Sequence, residues 1–277
     1  MTGGAEQRRR FGRYETLFRI AGGGMAEVYA ARILGEAGFQ KVVALKRMLP
    51  TLAEDERFVE MFLDEGRVAA NITSPNVVQT MDLGRAEDDS LYLVMELVVG
   101  VSHSRLLRNV LSSGTHLEPS IAVEILAQAA SGLHDAHEAT TPMGEALQIV
   151  HRDISPQNIL IDRSGRTRIT DFGVARALLR SSHTQTGEVK GKMAYFAPEQ
   201  ARAGVIDRRV DIFALGIVAW ETFAGRRLFK SDNPLQTLAK ITQEPIPVLA
   251  DLRPDLPPGI SAAIDKALQR DPDTRWQ

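Results

Sequence analysis

The chain has 277 residues, with 33 Lys and Arg set against 35 Asp and Glu, and no cysteine. That balance leaves no basic footprint for nucleic acid, and the lack of thiols excludes disulfides and cysteine-ligated metals. The longest apolar run, residues 212–220, is too short to cross a bilayer, and the polar, Gly-containing start lacks a signal-peptide core, so a cytoplasmic location is expected.

Residues 1–13 read as an N-terminal tail, with Arg8, Arg9 and Arg10 in solvent. Residues 14–46 read as strands, β-branched and apolar around a glycine break. In "DERFVEMFLDEGRVAANI", Phe58, Met61 and Phe62 fall at helical spacing, and Ser74-Pro75 ends the helix. Strands return through residue 98, with a polar turn at 87–90. After Gly100 the texture becomes helical. Ile121, Ile125, Ala129 and Leu133 recur every four residues as a core-facing stripe. "ILIDRSGRTRITDFG" predicts a hairpin turning at Arg163-Ser164-Gly165. "DIFALGIVAWETFA" is apolar on nearly every face, a buried helix that Gly225 is placed to cap, and "PPGISAAIDKALQRDP" predicts one more amphipathic helix.

Several stretches carry chemistry. "IAGGGMAEVY" places Gly22, Gly23 and Gly24 between two strands, where backbone N–H groups can approach phosphate without a Cβ in the way; an ordinary glycine turn is the bland alternative. "VALK" sets Lys46 in an apolar strand, either snorkelling or paired with Glu65 on the next helix. In "TDFG", Asp171 leaves a strand at a turn, a good position for an oxygen ligand to a hard cation, and Asn158 offers a second such oxygen. In "HRDISPQNIL", Asp153 is left to orient a hydroxyl and accept its proton. Metal ligands, a base and a phosphate cradle together are what phosphoryl transfer needs, since its catalysis is mostly positioning and charge stabilisation.

With these motifs in this order, the chain resembles a eukaryotic-type protein kinase, most similar to the bacterial Ser/Thr enzymes, over roughly residues 14–276. The resemblance implies an α+β, bilobal fold: a β-rich N-lobe with one helix over 14–98 and a mainly helical C-lobe over 99–277, whose last helix is expected to be trimmed. It implies ATP with Mg²⁺ or Mn²⁺ as cofactors, protein substrates, and transient self-association for autophosphorylation. Val43-Ala44-Leu45-Lys46 matches the strand lysine that holds the α- and β-phosphates, and Glu65 its helix partner. Met95 matches the gatekeeper, and Glu96 and Val98 the hinge whose backbone meets adenine. Ala21, Gly22, Gly23, Gly24, Val28, Ala44, Ser102 and Leu160 complete the implied nucleotide set. Asn158 and Asp171 are the implied metal ligands and Asp153 the implied base. Ala197-Pro198-Glu199 matches the end of the activation segment, Asp211 and Gly216 the start of the buried helix, and Arg275 the arginine that pairs with Glu199.

The departures are informative. Ala21 and Ala26 replace the outer glycines of G-x-G-x-x-G, so a weakened phosphate grip is expected. His137 and His151 are 14 positions apart, longer than the family's usual spacing, and "TTPMGEAL" reads as a surface hairpin or loop. Ser155 stands where the family has lysine, and Lys192 where it has threonine. The two are read as a paired exchange: Lys192 reaches back toward Asp153 to restore the lost charge, and Ser155 hydrogen-bonds Asp153 in its turn. Arg152, beside Asp153, is expected to meet a phosphate on the segment holding Ser181, Ser182, Thr184 and Thr186, with Thr184 and Thr186 the candidate autophosphorylation sites. Three alternatives stand beside this reading. A pseudokinase would bind ATP without turnover. An aminoglycoside-phosphotransferase-type enzyme would share the ATP site but lack the A-P-E segment. A tyrosine-specific enzyme is disfavoured by Pro156.

Overall fold

The computed structural model describes residues 8–141, 143–172, 191–229, 231 and 233–277. Two compact units separate, one of residues 1–71 and 78–98 and the other of residues 72–77 and 99–277.

The first unit is a six-stranded antiparallel sheet in the order β1-β2-β3-β4-β6-β5, with β1 Arg10–Phe11, β2 Tyr14–Gly22, β3 Ala26–Leu34, β4 Gln40–Met48, β5 Thr80–Arg85 and β6 Leu91–Glu96. Side chains alternate across a strand, so register decides which residues share a face. Tyr29 opposes Leu45, Ala31 opposes Val43 and Leu45 opposes Val94; these close with Phe11, Tyr14 and Tyr92 into a buried cluster. The opposite face carries Val28, Lys46 and Leu93 in one row and Ala30, Ala44 and Met95 in the next. Helix α1, Glu56–Ala70, is started by the Asp55 side chain, which accepts the Arg57 N–H. It ends at Asn71, short of the Ser74-Pro75 that the sequence offers as a stop. It lies against β5 and β6 at Gly66, where a Cβ would come within 3.0 Å of Leu93 and 3.2 Å of Leu83. Residues 10–11, read as tail, instead add an edge strand. The cause is Phe11, 1% exposed, which packs edge-on to Tyr92 with its ring centroid 5.2 Å from the Arg47 guanidinium.

The second unit contains α2 His103–Ser112, α3 Pro119–His137, the sheet β7 Gly100–Ser102, β8 Ile159–Asp162 and β9 Thr167–Ile169, then α4 Pro198–Ala201, α5 Arg209–Ala224, α6 Pro234–Gln243, α7 Leu249–Leu252 and α8 Pro258–Ala267. The apolar helix α5 is its centre, burying Phe213, Ile217, Trp220 and Phe223 against α3, α7 and α8. Gly225 stops it at φ +69°, a left-handed conformation that any Cβ would strain, and its N–H reaches the Glu221 carbonyl at 3.0 Å. The β8–β9 hairpin forms as predicted, with the Asp162 carboxylate accepting the N–H groups of Ser164 and Arg166. Of the α3 stripe, Ile125, Ala129 and Leu133 are buried but Ile121, in the first turn, is 50% exposed. Residues 139–141 pair with residues 145–147 through a Thr140–Ala146 bridge, the Leu147 N–H reaching the Ala139 carbonyl at 3.0 Å. Arg275 is fully buried with all five guanidinium donors used: Glu199 takes two at 2.6 and 2.8 Å, and the carbonyls of Gln269, Arg209 and Arg270 take the rest. Among the described residues, no helix is long and apolar enough to cross a membrane.

His103 opens α2 and is completely buried. The Thr222 hydroxyl donates to the Val218 carbonyl at 2.7 Å, so it accepts the His103 Nε2–H at 2.8 Å. Nδ1 is then the bare nitrogen, with no partner among the described residues, and a proton there would have no acceptor. Burial accordingly pushes the imidazole down from 6.5 to about 4. A depressed histidine contributes stability that is present above 6.5 and lost as pH falls toward 4, about 3 kcal/mol in all. Urea unfolding across that window should show this loss, and His103→Gln, which does not titrate, should flatten it.

Candidate active site

Each unit carries part of the predicted set. In the first, Lys46 sits mid-strand on β4, between Val28 on β3 and Leu93 on β6, with its Nζ 2.6 Å from Glu65 Oε1 on α1. The side chains are 10% and 4% exposed, and an ammonium fixed by a buried carboxylate at its tip is a rigid point charge aimed along the sheet face. On that face Val28, Ala44 and Met95 are its neighbours by register, an apolar floor of small and flexible side chains. The glycine segment follows β2: Ala21 pairs with Val28 and Gly22 with Glu27, and the Gly23 N–H closes the turn on the Ala26 carbonyl at 3.0 Å. A Cβ at Gly22 would strike the Arg19 guanidinium at 1.7 Å, and one at Gly24 would meet nothing. At the end of β6, Glu96 accepts the Gln79 N–H at 3.0 Å, and Val98 closes this unit.

In the second unit everything hangs from Asp211, in the first turn of α5 and 0% exposed. Its carboxylate accepts the His151 N–H at 2.8 Å, the Arg152 N–H at 2.7 Å and the His137 Nε2–H at 2.8 Å. Three donors on one buried carboxylate hold the loop where Arg152 adopts φ +67°, costly for a side chain with a Cβ. Gln200 on α4 adds a hold on the Arg152 carbonyl at 3.2 Å. His151 Nε2 donates to the Thr170 carbonyl at 3.0 Å while its Nδ1 accepts the Asp153 N–H at 3.2 Å, and its ring lies 4.5 Å from that of Phe172. One imidazole thus ties the 151–153 loop to the segment that presents Asp171.

Asp153, 6% exposed, is gripped from its own loop by Asn158, whose Nδ2 donates to the Asp153 carbonyl at 2.8 Å and to Oδ2 at 3.1 Å. Both amide protons are then spent inward, and the amide carbonyl oxygen is the end left for a ligand. Asp171 sits at φ +63°, a second strained residue in the same region. The two supply one amide and one carboxylate oxygen, which suits a hard divalent cation whose other ligands come from phosphate and water. No cluster of three His, Cys, Asp or Glu side chains occurs among the described residues, so a site made wholly of such groups is not present there. Ser102 opposes Leu160 across β7 and β8, and its hydroxyl caps α2 by accepting the Arg105 N–H at 3.3 Å.

Lys192 forms an ion pair with Asp153 Oδ2, the contact its position in the sequence predicts. Ser155 behaves otherwise. It is 1% exposed and its Oγ has no hydrogen-bond partner among the described residues, so the expected bond to Asp153 does not form; the carboxylate is held instead by Asn158 and Lys192, both at Oδ2. Gly173 and the hydroxyls at Ser181, Ser182, Thr184 and Thr186 lie outside the described residues. The sequence reading used His137 only as a spacing landmark and missed its bond to Asp211, and it missed Gln200 and Arg227, which touch Arg152 and the Gly191 carbonyl from elements far away in the chain.

The sequence matches the protein kinase domain family over residues 14–277. It is 42% identical over 266 residues to the tyrosine-protein kinase MasK of Myxococcus xanthus, covering 96% of this chain and 41% of that protein. It is 38% identical over 266 residues to the serine/threonine-protein kinase PrkC of Bacillus subtilis, covering 96% of this chain and 39% of that one. Its fold is similar to the crystal structure of the Mycobacterium tuberculosis PknI kinase domain, with a TM-score of 0.71 and 25% identity over 97% of this chain and 92% of that one. The chain spans about two fifths of the length of each of these two curated relatives.

Asp211→Asn turns one acceptor into a donor, which faces the Arg152 N–H in one amide orientation and the His151 N–H with the His137 imidazole in the other. It should lower the unfolding free energy by roughly 2–4 kcal/mol, read as a shifted urea midpoint at unchanged slope.

Proposed function

This chain belongs to the protein kinase family, and from that membership we propose that it transfers the γ-phosphoryl group of ATP to serine and threonine hydroxyls of proteins. The observation that carries the reading is the Asp153–Asn158 pair: a buried carboxylate oriented by an amide whose own oxygen is left for a cation. We take residues 14–98 as the N-lobe and 99–277 as the C-lobe of one kinase domain.

Asp153 orients the acceptor hydroxyl and takes its proton as the oxygen–γ-phosphorus bond forms and the bond from phosphorus to the β-phosphate oxygen breaks, releasing ADP. Lys46, fixed by Glu65, holds the α- and β-phosphates. Ala21, Gly22, Gly23 and Gly24 cover the phosphates, while Val28, Ala44, Met95 and Leu160 with the backbone of Glu96 and Val98 and the Ser102 region take the adenosine. Mg²⁺ or Mn²⁺ would be held by Asn158 and Asp171, and supplies charge neutralisation on the phosphates when bound. Serine and threonine are favoured over tyrosine by Pro156 and by relatives such as PrkC, although MasK is a tyrosine kinase by name. Transient pairing of two copies would let one phosphorylate the other at Thr184 or Thr186, where the added charge meets Arg152. Action in the cytoplasm is part of the same proposal.

Two measurements test it. Asp171→Ala should lose about 10²–10³ in turnover with radiolabelled ATP while the chain stays folded; wild-type activity in that variant would remove the metal assignment. Mass spectrometry after incubation with ATP should find phosphate on Thr184 or Thr186, and phosphoamino-acid analysis of a protein acceptor should return phosphoserine or phosphothreonine. Phosphotyrosine alone would refute the acceptor class.

A further inference from the structure

The cation beside Asp153 comes from outside its own loop. Two residues after Asp153, Ser155 puts a buried, unpartnered hydroxyl and no charge. The charge is delivered by Lys192, 39 positions downstream, whose ammonium pairs with Asp153 Oδ2. The lysine side chain is 34% exposed while the aspartate's is 5%, so the ammonium covers the carboxylate from the solvent side, and Asp153 is the one hydrogen-bond partner it has among the described residues. An ammonium has three donors, and an approaching phosphoryl oxygen can take one that Asp153 does not.

The backbone around Lys192 is held in an unusual way. Its carbonyl accepts the Tyr195 N–H at 3.0 Å. Arg227, just past the end of α5, donates to the Gly191 carbonyl at 3.4 Å, and its guanidinium lies 4.8 Å from the centroid of the Tyr195 ring. Tyr195 and Arg227 then converge on one carboxylate, Glu221 of α5, 4% exposed: the tyrosine hydroxyl donates to Oε2 at 2.8 Å and Arg227 Nε lies 3.1 Å from Oε1. The Leu228 N–H donates to Oε1 as well, at 3.0 Å. A partly exposed lysine is ordinarily a mobile one. This one stands on a segment whose carbonyls at Gly191 and Lys192 are held by Arg227 and Tyr195, both anchored on the buried Glu221.

We propose that Lys192 is a catalytic residue of phosphoryl transfer, placing its charge on the γ-phosphoryl oxygens as Asp153 takes the acceptor's proton, and that Arg227 is the positioning residue that holds it there through Gly191 and Tyr195. The assignment rests on the kinase reading above. The covalent step is unchanged: the hydroxyl proton goes to Asp153, the new oxygen–phosphorus bond forms, the bond to the β-phosphate oxygen breaks, and Lys192 keeps its protons throughout. Its contribution is electrostatic, larger in the transition state than in the bound substrate.

Steady-state kinetics with ATP and dephosphorylated casein decide it, with Asp153→Asn as the inactive control. Lys192→Met should lower kcat at least about tenfold with the KM for ATP within about threefold of wild type, and Lys192→Arg, which keeps the charge, should retain several-fold more than Lys192→Met. Arg227→Ala should lower kcat about three- to tenfold in the wild-type background and less than about twofold on top of Lys192→Met, because a residue acting through Lys192 has nothing left to position. Lys192→Met within about twofold of wild type, or Lys192→Arg no better than Lys192→Met, overturns the catalytic assignment. An Arg227→Ala effect equal in both backgrounds overturns the positioning role. Wild-type protein that transfers no phosphate to casein or to itself would sink the kinase reading, a result distinct from an active wild type that does not need Lys192.

Discussion

A single buried carboxylate sets the geometry of the second unit. Asp211 stands at the start of the most apolar helix of the chain, where an unpaired charge would be untenable, and it is satisfied by two consecutive backbone N–H groups and an imidazole. The exchange benefits both sides. The helix keeps its charge at its N-terminal end, where the macrodipole favours an anion, and the loop gains the fixed acceptors that let Arg152 stay in a left-handed conformation. Because the direction in which Asp153 leaves the backbone follows from the residue before it, the position of its carboxylate is inherited from α5. An element buried for reasons of packing thereby becomes the reference frame for the chemistry.

The same helix serves a second time at its other end. Glu221 collects Tyr195, Arg227 and the Leu228 N–H, so the segment holding Tyr195 is anchored to the same rod as the Asp153 loop. Burial pushes the Glu221 carboxyl up, with the Arg227 charge working against that, and burial likewise raises the Tyr195 phenol. The phenol thus keeps the proton it donates to Glu221, while at Glu221 the Arg227 charge and the bonds from Tyr195 and the Leu228 N–H favour the carboxylate that burial disfavours. Two loops that must face each other take their coordinates from one body.

Much of this was legible in the sequence because the features concerned are local. Strand alternation, the all-round apolar helix, the Gly225 stop and the hairpin at Gly165 each follow from a short window and its periodicity. Asp153 and Asn158 were legible as members of one short loop, and the bond between their side chains is a finding of the structure. What escaped depends on distant partners. Phe11 counted as tail because two residues make no pattern, yet an aromatic ring and a guanidinium from strands far along the chain bury it. Ile121 fits the helical stripe, but the first turn of α3 overhangs solvent. Ser155 has the chemistry to bond Asp153, and only the structure reveals that the carboxylate's partners are Asn158 and Lys192 instead. His137 and Gln200 are ordinary residues in their own windows, and their roles exist only where Asp211 and Arg152 meet them.

Arg275 has a meaning for how the protein is made as well as for how it stands. Its guanidinium completes a socket formed by Glu199, 76 positions earlier, and by three backbone carbonyls, and it leaves none of its donors idle. A ribosome releases the chain in order, so Glu199 and helix α5 emerge and begin to collapse well before their arginine exists. During that interval the socket holds a carboxylate with no counter-charge, and the surrounding helices have reason to stay loosely packed. The turn that carries Arg275 is thereby a late contribution to vectorial folding: the socket around Glu199 gains its counter-charge only once that turn has emerged.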